Sequence, residues 1–531
     1  MFFIGVDVGT GSARAGVFDA RGRLLGNSEA AIALWRPCPD HAQQSSADIW
    51  AAVCRAVRGA MAEAGAAPDQ VTGLGFDATC SLVVSDADER PLPVGPDGAP
   101  EQDVIVWMDH RAIADAEAID AIGGAPLAHV GGTISPEMQM PKLRWLAREM
   151  PDTFARAAQF RDLPDWLVFR ASGSTARSLC SLVCKWTYLG HAGGWDDGFL
   201  SAIGLGALTG SAGHARIGTE IAAPGDRVGG LTPYAAEELG LRPGTAVAAS
   251  LIDAYAGALG SMGAARGNPL ALIAGTSACH IALTDRAAFV PGVWGPYRGA
   301  LLPGLWASEA GQSAAGALLD AVLARHGAFP TLAEEARAAG RRPTELLDAT
   351  LADMAPETAT LTIARHVQPD VHGNRSPLAQ PWRRGGIDGL TLDTGRRDLA
   401  LDYLATLQAL AYGTRHIVES LRAEGLTIEA IVPSGGLAKN ALFLRETADA
   451  CGLPVILPDC GETVLLGSAM LGAVAAGSVP DLAHAMRTMS SPAREIAPRG
   501  GEIAAHHDRK FRVYRRMQED HAAYRQIMSG A

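Results

Sequence analysis

The chain has 531 residues, of which 48% are apolar, and its 45 Lys and Arg residues against 57 Asp and Glu residues leave a net charge of -12. This length exceeds what one hydrophobic core usually organises, so two sizeable domains with a cleft between them are expected. The negative charge disfavours a nucleic-acid partner, and an anionic substrate would need local positive charge or a metal.

The first predicted elements are a strand, a turn and a second strand. Phe2 to Val8 is apolar, Gly9 to Ser12 has the residues of a tight turn, and Ala13 to Phe18 is apolar again. A third strand is predicted after Gly22. The opening has no basic segment and reaches an acid at Asp7, which favours a buried strand over a secretory signal.

A helix and a further strand follow. Ser46 to Ala64 has Asp48 near its start, apolar residues at helical spacing and Gly65 at its end, a pattern typical of an amphipathic helix. Val71 to Phe76 is predicted as a strand that ends on Asp77. The alternation predicts an α/β fold in which a hairpin opens a mixed sheet.

The same order of elements begins again later in the chain. Thr245 to Ile252 is predicted as a strand that ends on Asp253, and Ala271 to Ile281 as a strand interrupted at Gly275 to Ser277. This repetition indicates a duplicated architecture, with a boundary between Pro243 and Gly267. We therefore divide the chain into domains of residues 1–255 and 256–531.

The remaining elements lie in the C-terminal half. His366 to Gly389 is rich in Pro and Gly and is predicted as a long irregular loop with a functional or interface role. A long helix is predicted from about Asp398 to Arg422, then a strand from Ile428 to Val432 and a Gly435-Gly436 turn before a helix. Val464 to Val479 is apolar but too short to span a bilayer, so it is predicted as a packed helix and no membrane partner is expected.

The cysteines indicate the cellular compartment. The eight are Cys38, Cys54, Cys80, Cys180, Cys184, Cys279, Cys451 and Cys460. They are too scattered for a disulfide scaffold, so we expect free thiols in a reducing cytoplasm. The spacing of Cys180 and Cys184 could suit a metal, but no second pair of ligands lies nearby, and small core residues are expected.

The segment from Asp7 to Arg14 carries the most chemical information. A carboxylate at the end of a buried strand precedes two glycines and the hydroxyls of Thr10 and Ser12. Backbone N–H groups in such a turn can bind phosphate oxygens, and Asp7 can hold the accompanying Mg²⁺ directly or through water. A tight hairpin with a solvent-facing Asp7 is the alternative.

Two further segments have similar chemistry. Gly275 to Ser277 repeats the strand-turn-strand pattern one domain later, so two loops could grip a nucleotide phosphate tail from opposite sides. Gly435 and Gly436 follow a predicted strand and precede a helix from Asn440, where small residues would let the backbone approach an adenine or ribose. Each segment could also be only a turn.

The order of motifs along the chain resembles the FGGY family of carbohydrate kinases. The segments that carry the resemblance are Asp7 to Arg14, Trp107 to Arg111, Pro141 to Leu146, the strand end at Asp253, Gly275 to Ser277, Gly373 to Pro377 and Gly435-Gly436. Thr79 to Val83 resembles the ribulokinase branch in particular. The resemblance implies two actin-like, ribonuclease H-like domains with an active site between them, and ATP and Mg²⁺ as cofactors.

The resemblance also implies roles for individual residues. It implies nucleotide contacts for Gly9, Thr10, Gly11, Ser12, Arg14, Gly275, Thr276, Ser277, Gly311, Gly435, Gly436 and Asn440, with Gly311 where a nucleotide-facing helix begins. It implies a metal contact for Asp7 and sugar contacts for Cys80, Lys185, Asp253 and Glu309. Asp253 matches the catalytic base, which takes the proton of the attacking hydroxyl.

Each proposed sugar-site residue also has a purely structural explanation. Asp253 could be a helix N-cap, Glu309 an acid at a helix start and Lys185 an ordinary lysine, although Lys185 lies in an apolar run where a buried amine needs a partner. Two departures from the ribulokinase pattern weaken the choice of substrate: Tyr255 stands where many relatives have His, and Gln380 where an acid is frequent.

The expected activity is phosphorylation of a ketopentose, with D-ribulose as the first choice and L-ribulose, xylulose or a pentitol as alternatives. The expected partners are thus a small sugar and a nucleotide. An actin-like, nucleotide-gated binding protein is a second hypothesis, and the set of Asp253, Glu309 and Lys185 argues against it. A sugar-sensing pseudokinase is a third, which would be expected to lose Asp7 or Asp253, and both are present. Asp508 to Arg525 is predicted as a charged helix whose arginines either face solvent or contact another subunit. A homodimer is therefore one of the expected oligomeric states.

Overall fold

Two seven-stranded mixed sheets organise the computed structural model, which describes residues 1–530. The strands before the middle of the chain are β1 (Phe2–Val8), β2 (Ser12–Phe18), β3 (Leu24–Ala31), β4 (Gln43–Gln44), β5 (Val71–Ala78), β6 (Leu82–Ser85), β7 (Val104–Ile105), β8 (Gln159–Asp162), β9 (Arg177–Ser178), β10 (Ile221–Ala222), β11 (Arg227–Gly230), β12 (Ala246–Ala248) and β13 (Leu251–Ile252). The later strands are β14 (Pro269–Ala274), β15 (Ala278–Thr284), β16 (Trp294–Arg298), β17 (Trp306–Gln312), β18 (His366–Gln368), β19 (Gly386–Asp388), β20 (Ala430–Ser434), β21 (Val455–Pro458) and β22 (Pro492–Ile496).

Helices cover both sheets. Those of the first half are α1 (Ser46–Ala64), α2 (Ile113–Ile122), α3 (Gln139–Glu149), α4 (Pro151–Arg156), α5 (Leu163–Ser172), α6 (Leu179–Lys185), α7 (Asp197–Ala202), α8 (Gly210–Ile217), α9 (Pro233–Leu239) and α10 (Asp253–Met262). Those of the second half are α11 (Gly316–Arg325), α12 (Phe329–Ala338), α13 (Pro343–Met354), α14 (Arg396–Ala423), α15 (Ala441–Cys451), α16 (Thr463–Ala475), α17 (Leu482–Met489) and α18 (Gly501–Ser529). Within residues 1–530, no helix combines the length and hydropathy that crossing a membrane requires.

The N-terminal sheet has the strand order β11-β12-β5-β1-β2-β3, with β13 also paired to β5. The hairpin of β1 and β2 is antiparallel, whereas β1 runs parallel to β5. The predicted mixed sheet that a hairpin opens is therefore confirmed. One strand prediction was wrong in detail, because Thr245 to Ile252 is divided into β12 and β13 by Ala249 and Ser250. Ser250 leaves the ladder because its backbone and hydroxyl bond Ser178 and Asp165.

Helix α1 has the predicted bounds because both of its ends are capped. The hydroxyl of Ser45 accepts a hydrogen bond from the Asp48 N–H group, and Gly65 ends the helix in the left-handed conformation at φ 60°. The apolar residues at helical spacing, including Ile49, Val53 and Val57, are buried. This face closes one side of the N-terminal sheet.

The C-terminal sheet has the order β16-β17-β15-β14-β20-β21-β22. It repeats the pattern of the first sheet, because the β14–β15 hairpin is antiparallel and β14 runs parallel to β20. The long helix α14 is buried along most of its length in the core of this lobe. The two lobes therefore have the same arrangement of a hairpin beside a parallel strand.

Helices α10 and α16 connect the two lobes. Helix α16 packs on β1 and β5 of the first sheet, and α10 packs on β14 of the second. The helices approach each other closely: a Cβ atom added to Gly467 would lie 2.0 Å from the Ala256 carbonyl oxygen, and one added to Gly260 would lie 1.9 Å from the Thr463 carbonyl oxygen. The packed helix predicted from Val464 is confirmed, and its neighbour α10 begins at Asp253.

Candidate active site

Three carboxyl groups lie at one edge of the N-terminal sheet. Asp7 near the end of β1 is in register with Asp77 near the end of β5. Leu251 of β13 is also in register with Asp77, so Asp253 begins α10 two residues beyond that position. Parallel strands deliver their carboxyl ends to the same edge, which is where ligands of open α/β sheets bind.

Arg14 compensates the charge of Asp7. Its Nε atom donates a hydrogen bond of 2.8 Å to Oδ2 of Asp7, and its Nη2 atom donates a second, short one to the same oxygen. Its Nη1 atom lies 3.1 Å from Oε2 of Glu462. The first predicted loop and the segment before α16 are thus tied together at Arg14.

Asp77 is a member of the acidic group that the sequence analysis did not propose as a site residue. Its side chain is fully buried, and the Ser468 hydroxyl of α16 donates a 2.5 Å hydrogen bond to its Oδ2 atom. Burial and the neighbouring Asp7 raise the pKa of Asp77 well above its ordinary value. The signal available in the sequence was an acid at the end of the adjacent strand.

Asp253 lies at the first helical position of α10 rather than at its N-cap, which is Ile252. Its Oδ1 atom accepts a 2.7 Å hydrogen bond from the Ala254 N–H group. Burial raises the pKa of Asp253 to about 7, and the nearby Asp7 charge adds to this shift. The carboxyl group can therefore exchange a proton near neutral pH.

The acidic edge suits a hard divalent cation. Its donors are carboxylate oxygens, which Mg²⁺ prefers, and Arg14 is the one cation paired with them within residues 1–530. The described residues contain one cluster of three candidate metal ligands with mutually close atoms, and it lies elsewhere, at His326, Asp398 and Asp402. Arg365 pairs with both of its aspartates. At the cleft, Asp7 could offer a carboxylate oxygen to such a cation.

The first predicted phosphate loop is the turn between β1 and β2. Gly9 closes it with a 3.0 Å hydrogen bond to the Ser12 carbonyl oxygen, and Gly11 is exposed at its tip. The Trp107 indole donates to the Thr10 hydroxyl at 2.9 Å, which holds the loop from the side. Trp107 belongs to one of the motifs that carry the family resemblance, and this contact gives it a physical role.

The second and third loops meet at the ends of β14 and β20. Gly275 closes its turn with a 2.9 Å hydrogen bond to the Ser277 carbonyl oxygen, and Thr276 is exposed. Gly435 adopts φ 85°, and a Cβ atom there would lie 2.7 Å from the Ala274 carbonyl oxygen. Only glycine suits this approach, which places the exposed Gly436 beside the Gly275 turn.

Asn440 caps α15 beside these loops. Its Oδ1 atom accepts from the Phe443 N–H group at 2.9 Å, and its Nδ2 atom donates to the Tyr403 hydroxyl at 2.7 Å. Tyr403 in turn donates to Asp348 at 3.0 Å. Within residues 1–530 this is the one hydrogen bond that the amide donates, which leaves its second N–H group for a ligand.

The predicted helix start at Gly311 was wrong. Gly311 lies inside β17, where it pairs with Cys279 of β15, and the next helix begins at Gly316. The run from Trp306 to Gln312 continues the sheet because every one of its residues has a partner on β15. Glu309 is for the same reason a strand residue and not an acid at a helix start.

Lys185 and Glu309 form a buried ion pair between the lobes. The Nζ atom of Lys185, at the end of α6, lies 3.3 Å from Oε1 of Glu309, and each side chain is 5% exposed. Burial disfavours the charge on Lys185, but Glu309, Cys80 and Cys184 outweigh it and raise its pKa. The Oε2 atom of Glu309 is buried and has no hydrogen-bond partner among the described residues. An unpaired buried carboxylate oxygen is a ready acceptor for a ligand hydroxyl.

The remaining sugar-site positions surround this pair. The Gln139 amide donates a 3.0 Å hydrogen bond to the Cys80 carbonyl oxygen, and burial raises the pKa of the Cys80 thiol. A buried thiol whose pKa is raised is a poor nucleophile. Tyr255, which stands where many ribulokinases have His, is fully buried and its hydroxyl has no partner within residues 1–530. The cleft thus holds Asp253, Lys185 and Glu309 as electrostatic neighbours.

These features define a class of protein: two α/β lobes of repeated design that enclose an acidic cleft, with a glycine turn from each lobe. Residues 2–260 match the family model described as FGGY family of carbohydrate kinases, N-terminal domain, and residues 270–476 match that of the C-terminal domain. The chain belongs to the FGGY family of carbohydrate kinases.

Individual relatives agree with this assignment. The chain is 47% identical to an FGGY carbohydrate kinase domain-containing protein of Danio rerio, over 98% of this chain and 97% of that protein. It is 40% identical to a D-ribulokinase of Saccharomyces cerevisiae, over 89% of this chain and 72% of that protein. A xylulose kinase structure from Rhodospirillum rubrum shares the fold, with a TM-score of 0.79, 22% identity and 99% of both chains covered. The predictions of a carbohydrate kinase and of two actin-like domains are confirmed.

Proposed function

We propose that this kinase transfers the γ-phosphoryl group of ATP to the terminal hydroxyl of a ketopentose, with D-ribulose, which becomes D-ribulose 5-phosphate, as the first choice. The buried pair of Lys185 and Glu309 carries the proposal, because its unpaired Oε2 atom and its ammonium suit a ligand with several hydroxyl groups. A relative that is 40% identical is named a D-ribulokinase, which favours this sugar over L-ribulose, xylulose or a pentitol.

In the proposed reaction Asp253 is the general base. The substrate hydroxyl oxygen attacks the γ-phosphorus, the bond to the bridging oxygen of ADP breaks, and the hydroxyl proton passes to the Asp253 carboxylate. Its pKa near 7, which burial raises, leaves a large fraction ionised at neutral pH while keeping it a useful base. Lys185 and Glu309 orient the sugar, and the Cys80 backbone lies beside them.

The three glycine turns would hold the nucleotide. The nucleotide set consists of Gly9, Thr10, Gly11, Ser12, Arg14, Gly275, Thr276, Ser277, Gly435, Gly436 and Asn440, together with Gly311, which lies in strand β17 and not in a turn. A bound Mg²⁺ neutralises phosphate charge, and Asp7 would be its protein ligand. We divide the chain at residues 255 and 256, with the sugar site and the first loop mainly in the N-terminal part and the nucleotide site mainly in the C-terminal part.

The proposal is tested by measuring ADP release from Mg-ATP with purified protein and a panel of pentuloses, aldopentoses and pentitols. D-ribulose should give the highest kcat/KM, and the product should carry phosphate on its terminal carbon. Glu309→Gln is the matched variant, because it keeps the size of the side chain and removes the acceptor charge. A higher kcat/KM for another sugar contradicts the substrate, and turnover unaffected by Glu309→Gln contradicts the site.

A further inference from the structure

A second ion pair crosses the cleft beside Lys185 and Glu309. The Nη2 atom of Arg375, in the loop before β19, lies 3.5 Å from Oε1 of Glu137, which precedes α3 of the other lobe. The two side chains are 13% and 19% exposed. Within residues 1–530, neither has another ion-pair partner.

The loop that carries Arg375 is held in place by its own side chains. Asn374 donates a 2.9 Å hydrogen bond to Asp370 and accepts one from the Leu378 N–H group. The Ser376 hydroxyl bonds the Gly292 carbonyl oxygen at 2.9 Å. The backbone that carries Arg375 is therefore held against the C-terminal lobe, so Arg375 moves with that lobe.

The backbone around Glu137 is held in the same way on the N-terminal lobe. Its N–H group bonds the Ser135 hydroxyl at 3.2 Å, and its carbonyl oxygen accepts from the buried Lys142 amine at 3.2 Å. Two residues later, Gln139 binds the Cys80 carbonyl oxygen. The segment that presents Glu137 thus also positions the backbone at one wall of the sugar site.

Trp294 connects the two ion pairs. Its ring centroid lies 4.4 Å from Nζ of Lys185 and 5.4 Å from Cζ of Arg375. Trp294 is also in register with Glu309 on the neighbouring strand. Both cations are therefore arranged around one ring that is the cross-strand neighbour of the proposed sugar-binding acid.

We propose that Arg375 and Glu137 form a clamp between the lobes that positions Trp294, Lys185 and Glu309 around the sugar. The pair can form only at this separation of the lobes, and its attraction is strengthened because both side chains are largely withdrawn from water, so the pair favours this arrangement. The two are positioning residues, because neither needs to touch the reacting atoms. The inference rests on the proposed function for its catalytic consequence, but the clamp itself is a property of the ligand-free protein.

A double-mutant cycle with Glu137→Gln, Arg375→Gln and the double variant tests the clamp. Each single change should lower kcat/KM for the best sugar at least about tenfold, mainly through KM, because the sugar site is no longer preformed. The double variant should be no worse than the poorer single variant, since the second change removes a contact that is already lost. Losses that multiply, or single variants with wild-type kcat/KM, overturn the proposal.

Two further variants separate a specific contact from general damage. The ion pair is made through one nitrogen, so Arg375→Lys, which keeps the charge but loses the guanidinium beside Trp294, should lose less activity than Arg375→Gln. Glu334→Gln neutralises an exposed acid that pairs with Arg337 and should change nothing. A loss for Arg375→Lys as large as that for Arg375→Gln contradicts the role of the charge.

Small-angle scattering of the ligand-free protein tests the clamp without any substrate. The radius of gyration should increase in Glu137→Gln and in Arg375→Gln, and not in Arg375→Lys or Glu334→Gln. If wild-type protein phosphorylates no sugar but the single variants expand, the proposed function fails and the clamp stands. If sugar is phosphorylated and no variant expands or loses activity, the clamp is overturned and the function stands.

Discussion

At the residue scale, neighbouring carboxyl groups of the cleft differ in their hydrogen-bond partners and charged neighbours. Asp77 is fully buried and accepts a hydrogen bond from the Ser468 hydroxyl, and burial together with the neighbouring Asp7 raises its pKa well above the ordinary value. Asp253 has a pKa of about 7, since burial and Asp7 raise it while the Ala254 N–H group and Lys185 oppose them. One group is thus suited to a structural hydrogen bond and the other to proton transfer.

We expect Asp253→Asn to lower kcat by about 10² to 10⁴ with a small change in KM, because a positioned general base is worth that much in rate. The amide keeps the volume and can still hydrogen bond the substrate hydroxyl, but it cannot take the proton. Steady-state kinetics with Mg-ATP and D-ribulose measure the effect. Turnover within a few-fold of wild type would mean that Asp253 only stabilises the start of α10.

The pH dependence of Asp253 gives an independent check of the same substitution. Below pH 7 the wild-type kcat/KM should fall about tenfold per pH unit as the base is protonated, and Asp253→Asn should lack this limb. The sign for stability is opposite. A carboxyl group whose folded pKa is raised contributes stability at low pH that is lost as the pH rises through about 7. Melting curves should therefore show a gain for Asp253→Asn over wild type at pH 8 and none at pH 4.

Some residues of the cleft could be predicted from the sequence because they end a predicted strand, whereas the contacts of others could not. Asp7 and Asp253 each end a predicted strand, and the structure brings both to one sheet edge. The partnership of Asp77 with Ser468 joins residues 391 positions apart, and no local pattern encodes it. The family resemblance placed Gly311 at a helix start, and only its pairing with Cys279 of β15 shows that it belongs to a strand.

At the scale of elements, glycines set the distance between the two helices that connect the lobes. Gly467 of α16 faces the Ala256 backbone of α10, and Gly260 of α10 faces the Thr463 backbone of α16. Gly5 and Gly75 make similar contacts between the first sheet and α16. The first turn of α10 carries Asp253, so this packing also fixes the position of the proposed base.

Gly467→Ala should destabilise the protein although alanine favours a helix. The propensity gain is at most about 1 kcal/mol, whereas a Cβ atom 2.0 Å from the Ala256 carbonyl oxygen forces backbone movement that typically costs about 1 to 3 kcal/mol. Kcat should fall as well, because α10 moves with Asp253. Urea unfolding and kinetics measure the two effects. Gly327→Ala is the control, since nothing lies within 4 Å of its added Cβ atom; equal behaviour of the two variants would contradict this account.

At the scale of the whole molecule, the duplication was visible in the sequence but the joining of the lobes was not. Two hairpins followed by strands predicted two sheets, and the structure confirms them. The position of α16 on the first sheet could not be predicted, because residues 463–475 return to the lobe in which the chain began. Packing between residues far apart in the chain depends on shape complementarity, and the spacing of apolar residues along the sequence does not reveal it.

Because the two lobes are joined, we expect nucleotide and sugar to increase the free energy of unfolding cooperatively. The proposed nucleotide set lies mainly on one lobe, whereas Lys185 and Glu309 join the two, so each ligand should favour the arrangement that the other needs. Either ligand alone at 100 times its Kd should stabilise the fold by about 2.7 kcal/mol. Together, a non-hydrolysable ATP analogue with Mg²⁺ and D-ribulose should exceed the sum of the separate effects by about 1 to 3 kcal/mol, measured by urea unfolding. Asp253→Asn should keep this excess because it still binds both ligands, whereas Glu309→Gln should lose most of it. Strictly additive stabilisation in wild type would show that the two sites are filled independently and would contradict this prediction.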